Sequence, residues 1–228
     1  MAANLLRTLA SQPSWQTHKQ CTWRSNFPVA GIMGCNFHFC QCVWRHVQGD
    51  ASLRGLYVGD PDFALSLRMF PAIAFVPLDD VRVAFDALLA SDFVRDNEQA
   101  LTTFLNYFEA TWVGRERNQA VMKAEWWNVH MATLDGMGRT NNEVEGWHHG
   151  FAGRLGSSHP TFIKLMEHLQ IEQGRTEFTV SNSLAQGPGA PRKRVYRERQ
   201  KRLFALVSSY VDRELLSFLR AIAHNITF

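Results

Sequence analysis

The sequence predicts a mainly α-helical protein with at most a strand or two, and three observations predict it. Apolar residues recur at steps of three and four along most of the chain after Cys35. One short apolar run, at residues 29–33, has the length of a buried strand. The longest mostly apolar run, residues 69–78, contains two prolines and is half as long as the roughly 20 residues of a membrane-spanning helix. We therefore expect no membrane segment.

The composition is that of a folded chain. It has 228 residues, of which 46% are hydrophobic and 12% aromatic, so it can form a core and wholesale disorder is excluded. No secretory signal is expected, because the apolar stretch at residues 5–10 is short and Arg7 interrupts it. All four cysteines lie between Cys21 and Cys42, which favours a reduced compartment and a metal site over a disulfide framework.

The first predicted helices follow one another from Cys35. Residues 78–90 begin with two aspartates, which suits a helix start. The apolar positions of the three segments are Phe39, Cys42, Val43, His46 and Val47, then Val81, Phe85, Leu88 and Leu89, then Leu101, Phe104, Leu105, Phe108 and Trp112. Each set follows the helical period, so we expect each to face a core.

The later helices have clearer boundaries. Residues 140–143, Thr-Asn-Asn-Glu, fit a capping box, and Pro160 suits the first turn of the next helix. Residues 186–191 are rich in Gly and Pro and predict a linker before one long helix over 192–228. The expected buried stripes are Val144, Trp147, His148, Phe151 and Leu155, then Phe162, Leu165, Met166 and Leu169, and finally a seam from Leu203 to Ile222.

Charge is distributed unevenly along the chain. The first carboxylate is Asp50, whereas residues 192–202 contain seven bases and one acid, Glu198. The bases are Arg192, Lys193, Arg194, Arg197, Arg199, Lys201 and Arg202. Seven bases in eleven positions cannot share one helix face, so we expect a helix start that is basic nearly all round and that binds DNA phosphates without regard to sequence. A solvated helix end is the open alternative.

Two further groups of residues are candidates for chemistry. Cys35 and His38, with Cys40 and Cys42 beside them, have ligand types that share zinc, although small buried thiols explain them equally well. Glu145 has His148 and His149 at the i+3 and i+4 positions. A carboxylate beside imidazoles suits metal binding or acid–base chemistry, and an exposed first-turn Glu is the alternative.

Five blocks in order give the sequence a specific resemblance. They are residues 34–45 (GCNFHFCQCVWR), 74–77 (AFVP), 107–114 (YFEATWVG), 139–148 (RTNNEVEGWH) and 219–225 (LRAIAHN). Together they resemble the animal Mutator-like element (MULE) transposases. The resemblance implies an RNase H-like core of the DDE type, with a helical insertion at about residues 45–138. It also implies two-metal phosphoryl transfer with Mg²⁺ or Mn²⁺, DNA as the partner and a nuclear location, with the cytoplasm as the alternative.

By the same resemblance, Glu145 matches the third acidic residue of the family, Cys35 and His38 match its C-x-x-H signature, and residues 29–33 match the last core strand. The two catalytic aspartates of the family precede that signature, and this chain has no acid before Asp50. We therefore expect a truncated transposase-like protein that is catalytically inactive alone.

The expected organisation is a divergent segment at 1–28, a partial core at 29–185, a linker at 186–191 and a basic C-terminal helix at 192–228. The alternative is a domesticated helical module that binds nucleic acid or protein, with or without a structural zinc site. The sequence leaves open whether the chain forms a homo-oligomer, and tight zinc binding is not favoured.

Overall fold

The structure, a computed structural model, describes residues 34–115, 117–140, 142–187 and 194–227. Within these ranges the chain forms helices and turns and has no β-strand, only an isolated bridge between Arg115 and Asn118. The mainly α prediction is confirmed, and the strand predicted at residues 29–33 lies outside the described residues. None of the described helices is both long and apolar enough to cross a bilayer.

The chain divides into two compact units, Met1–Arg139 with Arg202–Phe228, and Thr140–Lys201. The helices are α1 (Asn36–Gly49), α2 (Ala51–Gly59), α3 (Pro61–Leu67), α4 (Met69–Ala72), α5 (Val81–Leu89), α6 (Asp92–Asp96), α7 (Glu98–Phe108), α8 (Ala124–Trp127), α9 (His130–Leu134), α10 (Asn142–Leu155), α11 (Phe162–Gln186), α12 (Arg194–Ser208) and α13 (Leu215–Ala223). Short 3₁₀ turns cover Ile73–Phe75, Leu78–Asp80 and Tyr210–Asp212, and a π turn covers Glu109–Val113.

The core of the first unit is built on the predicted faces of α1, α5 and α7. Phe39, Val43 and Val47 of α1 are buried, and Cys42 and His46 are half-buried. The Phe39 ring stacks on Trp127 at a centroid distance of 4.9 Å and meets Trp112 edge-on at 4.8 Å. The buried residues from the other two helices are Val81, Phe85, Leu88, Leu101, Phe104 and Phe108. Periodicity predicted these three faces correctly.

The buried turn that contains residues 74–77 is held by residues 128–130. Val129 N donates to Ala74 O at 2.7 Å, and the Asn128 side-chain amide donates to Val76 O at 2.8 Å. His130 Nδ1 lies 2.8 Å from Phe75 O. A buried carbonyl without a hydrogen-bond partner is costly. These three contacts satisfy the carbonyls of the turn that follows α4, so this turn can be buried in the core.

The C-terminal segment differs from the single helix that we expected. α12 ends at Ser208, and α13 begins after Glu214, whose carboxylate accepts hydrogen bonds from Leu216 N and Ser217 N at 2.9 and 2.6 Å. This N-cap stabilises a new helix start. The break lets α13 pack against α4 and α5 and bury Phe218, Leu219 and Ile222.

The second unit corrects the two predicted buried stripes. Val144, Trp147 and His148 of α10 are exposed, and Leu155 is the one buried apolar residue among those described in this unit. Phe162, Met166 and Leu169 of α11 are exposed as well. The reason is that α10 and α11 contact each other along one side only and have no second layer within the unit.

The helix starts in the second unit are also displaced from the predicted ones. α10 begins at Asn142, so Thr140 precedes its first residue by two positions instead of capping it directly. α11 begins at Phe162 and is capped by Thr161, whose Oγ1 accepts a hydrogen bond from Lys164 N at 3.3 Å. Pro160 therefore lies before the cap and not in the first turn.

Candidate nucleic-acid interface

The basic segment forms the start of α12. Five of the seven predicted bases, Arg194, Arg197, Arg199, Lys201 and Arg202, are on this helix. Arg192 and Lys193 lie outside the described residues. Arg194, Arg197, Lys201 and Arg202 are exposed, and Arg199 is half-buried.

Four of these five bases share one face of α12, whereas the expectation of a helix start that is basic nearly all round concerned all seven bases, two of which lie outside the described residues. At about 100° per residue, Arg197, Lys201, Arg194 and Arg202 fall within an arc of about 140°. The buried residues Leu203 and Val207 lie on the opposite side of the helix. Arg199 alone is on the apolar side.

The cations of this face have few partners. Among the described residues, none forms an ion pair with Arg194, Arg197 or Lys201. Arg202 Nε lies 3.4 Å from Asn225 Oδ1, a neutral group that leaves the charge of Arg202 uncompensated. Glu198 is on the same face, so the face has four bases and one acid. We call Arg194, Arg197, Lys201 and Arg202 the α12 basic face.

Glu145, the predicted catalytic residue, is exposed on the second turn of α10. His148 and His149 follow it on the same helix and are exposed as well. In the part of the chain that the structure describes, no three His, Cys, Asp or Glu side chains come close enough to hold a metal ion. A two-metal site needs several converging carboxylates, and the described residues do not fit one at Glu145.

The predicted zinc ligands at the start of α1 diverge. His38 is exposed, whereas Cys40 is buried two residues later, and its Sγ lies 4.0 Å from Asn36 Oδ1. Cys42 is half-buried, and burial raises the pKa of its thiol, which disfavours the thiolate that zinc needs. Cys35 immediately precedes the helix. Among the described residues, no three of these donors come close enough to hold a metal ion.

Residues from three of the resembling blocks contact one another in the first unit. Asn36 N, beside Cys35, donates a hydrogen bond to Arg139 O at 2.8 Å. The Arg139 guanidinium lies 5.8 Å from the centre of the Phe75 ring. Gly34 is required at this junction, because a Cβ there would lie 1.9 Å from Trp126 O.

An ion-pair cluster on the first unit was not predicted from the sequence. Both oxygens of Glu109 accept from arginines, Oε1 from Arg82 at 3.0 Å and Oε2 from Arg115 at 2.9 Å. Arg82 also donates to Gly114 O at 2.9 Å, and Gly114 has a φ of 89° that favours glycine. An open cleft of about 650 Å³ adjoins this cluster. The residues are too far apart in sequence for spacing to indicate them.

The chain matches no family model, no curated protein and no solved structure among those compared with it. The resemblance to MULE transposases therefore rests on the ordered sequence blocks.

Proposed function

We propose that this chain is a DNA-binding protein of MULE transposase descent, which holds duplex DNA through the α12 basic face and does not cut it. The observation that supports the proposal is the basic face itself. Its four bases lie within nine residues of one helix, and the single acid among them, Glu198, forms no ion pair with them.

The spacing of the basic face suits a phosphate backbone. Nine helical residues span about 13 Å. Duplex DNA presents one phosphate charge for every 1.7 Å or so of its axis, so several phosphates lie within reach of four long side chains. Contacts to phosphate fix position but read no bases. The proposed binding is therefore indifferent to sequence.

The absence of cleavage follows from the carboxylates of this chain. The family resemblance assigns Glu145 one of three acidic roles, and this sequence has no acid before Asp50 to fill the two upstream roles. Among the described residues, no group of three His, Cys, Asp or Glu side chains that could hold a metal ion includes Glu145. We therefore propose binding without phosphoryl transfer for these 228 residues.

A salt titration of charge-matched variants tests the assignment to α12. The variant Arg194→Ala/Arg197→Ala/Lys201→Ala loses three phosphate contacts in the proposal. Since each contact contributes about 0.9 to the slope of log K against log salt, the slope should flatten by about 2.7. Fluorescence anisotropy of a labelled duplex measures it.

The matched control removes the same charge elsewhere. Arg54, Arg117 and Arg175 are exposed and form no ion pair within the described part of the chain. The triple alanine variant at these positions should keep the wild-type slope. Equal flattening in both variants would show that net charge, and not α12, governs binding.

A further inference from the structure

The longest helix of the described chain has an exposed apolar face. α11 has 25 residues, and five apolar side chains fall within an arc of about 60° around its axis. They are Phe162, Met166, Leu169, Val180 and Leu184, with exposed fractions from 37% to 84%. We call them the α11 stripe. α10 contacts a different side of α11, where Arg154 pairs with Glu172.

The α11 stripe follows the spacing of a coiled coil. Positions 162, 166, 169, 173, 176 and 180 are separated by alternating steps of four and three, the a and d positions of a heptad repeat. Phe162, Met166, Leu169 and Val180 occupy the outer positions of this series, and Gln173 and Thr176 occupy its middle. Such a face is shaped for another helix.

The exposed area is sufficient for a pair of chains. A large apolar side chain offers roughly 150–200 Å², so at the observed exposures the stripe and the adjacent Ile163 present on the order of 600 Å². Two copies would bury on the order of 1,200 Å² of apolar surface, which reaches the lower end of specific interfaces. A single-copy surface of this size is at the upper limit for monomers.

We propose that a second copy of this chain covers the α11 stripe, with its own α11 running antiparallel. About the midpoint of the helix, the pattern is self-complementary in this orientation. Leu169 faces Val180 of the second copy, Gln173 faces Thr176, and Met166 faces the end that holds Leu184. An apolar layer of Leu169 and Val180 therefore lies on each side of the two polar central layers, and Met166 lies opposite Ser183, next to Leu184.

Charge favours the antiparallel orientation only in part, because Arg154 of the same chain already pairs with Glu172. In a parallel pair, Glu172 of each chain, at position g, would flank Glu177 of the other chain, at position e. Those two like-charged contacts oppose pairing. In the antiparallel pair Glu172 lies beside Thr179 and Glu177 beside Gln170, so no acid faces another acid along the stripe.

Sedimentation equilibrium of the full chain at about 100 μM tests the pairing, because interfaces of this size give dissociation constants near the micromolar range. The wild type should have about twice the 26.0 kDa chain mass. Leu169→Glu should convert it to a monomer, because it places a charge in the stripe. A monomeric wild type would overturn the proposal.

Ile171→Glu is the matched control. Ile171 is on the same helix, is 57% exposed and points away from the stripe, so this variant should remain dimeric. Dissociation equal to that of Leu169→Glu would overturn the assignment of the interface. Both substitutions are at exposed positions, and circular dichroism of each variant should match that of the wild type.

Orientation is tested by a photo-crosslinking amino acid, p-benzoylphenylalanine, in place of Phe162. Equal amounts of ¹⁴N- and ¹⁵N-labelled chains identify the crosslinks between copies by mass spectrometry. The antiparallel pair should give crosslinks to residues 183–187 of the other copy. Crosslinks to residues 162–166 of the other copy would overturn it.

Discussion

At the scale of single side chains, the residues of the α12 basic face differ from the other arginines in two ways. They have no ion-pair partner among the described residues, and they lie close together on one helix. Arg82, Arg95 and Arg115 each pair with a carboxylate. Arg54, Arg117 and Arg175 are unpaired but far apart in the chain. Exposed ion pairs contribute little to stability, and a single isolated charge offers a phosphate backbone only one contact. Among the described residues, several cations without an ion-pair partner lie about one turn apart on α12, and phosphates would relieve the repulsion between them.

The prediction for single residues concerns Glu145, the candidate catalytic residue. We expect the 228-residue chain to show no cleavage or strand transfer of supercoiled DNA with Mg²⁺ or Mn²⁺, because a metal pair needs several converging carboxylates and the described residues form no group of three His, Cys, Asp or Glu side chains that could hold a metal ion. A plasmid-nicking assay measures this. Glu145→Gln should bind DNA as the wild type does. Metal-dependent nicking that Glu145→Gln abolishes would contradict the account.

At the scale of helices, the break between α12 and α13 depends on Tyr210. Its hydroxyl donates to Asp80 Oδ2 at 2.8 Å, and its ring meets Phe218 edge-on at 5.0 Å. Burial, and then the hydrogen bond to Asp80, raise the pKa of Tyr210, so the hydroxyl remains a donor across the physiological range. This contact ties the 3₁₀ turn after α12 to the start of α5.

Tyr210→Phe should therefore destabilise the protein. Loss of one side-chain hydrogen bond costs about 1 kcal/mol, which lowers the melting temperature of a chain of this size by about 2–4 °C. Thermal unfolding followed by circular dichroism measures the change. Tyr196→Phe is the control, since Tyr196 is exposed on α12, and it should melt with the wild type. An unchanged melting temperature in Tyr210→Phe would contradict this role.

The helices also show what the sequence could predict. Periodicity predicted the buried faces of α1, α5 and α7, because each of these helices meets other elements of a common core. The same periodicity was wrong for α10 and α11. An apolar stripe shows which side of a helix is apolar, but it does not show whether another element of the fold covers that side. The C-terminal helix was predicted too long, since the Glu214 cap and the Tyr210 contact interrupt an apolar seam without altering its spacing.

The candidate sites were predictable to different degrees. A run of bases is visible in sequence, so the basic segment was found, although its arrangement on one face required the helix start at Arg194. The Arg82–Glu109–Arg115 cluster was missed, because two of its members are 27 residues apart. The zinc hypothesis rested on spacing alone, and the helix directs His38 and Cys40 to different sides.

At the scale of the whole molecule, the charge is concentrated. The net charge of the chain is +3, and the α12 basic face with Glu198 accounts for an equal amount within nine residues. Long-range attraction by the rest of the protein is therefore weak, and binding should depend on this one helix. The first unit has an extensive core, whereas the second unit presents exposed helices. The two proposals concern different helices, α12 for DNA and α11 for a second copy of the chain.

The most direct test of the central claim is the binding of the wild-type chain to two duplexes of unrelated sequence at several salt concentrations. With four phosphate contacts from the basic face, and up to six if Arg192 and Lys193 take part, the slope of log K against log salt should lie between about −3.6 and −5.4 for both duplexes. The two affinities should agree at every salt concentration. A slope near zero, or a marked preference for one sequence, would contradict the account.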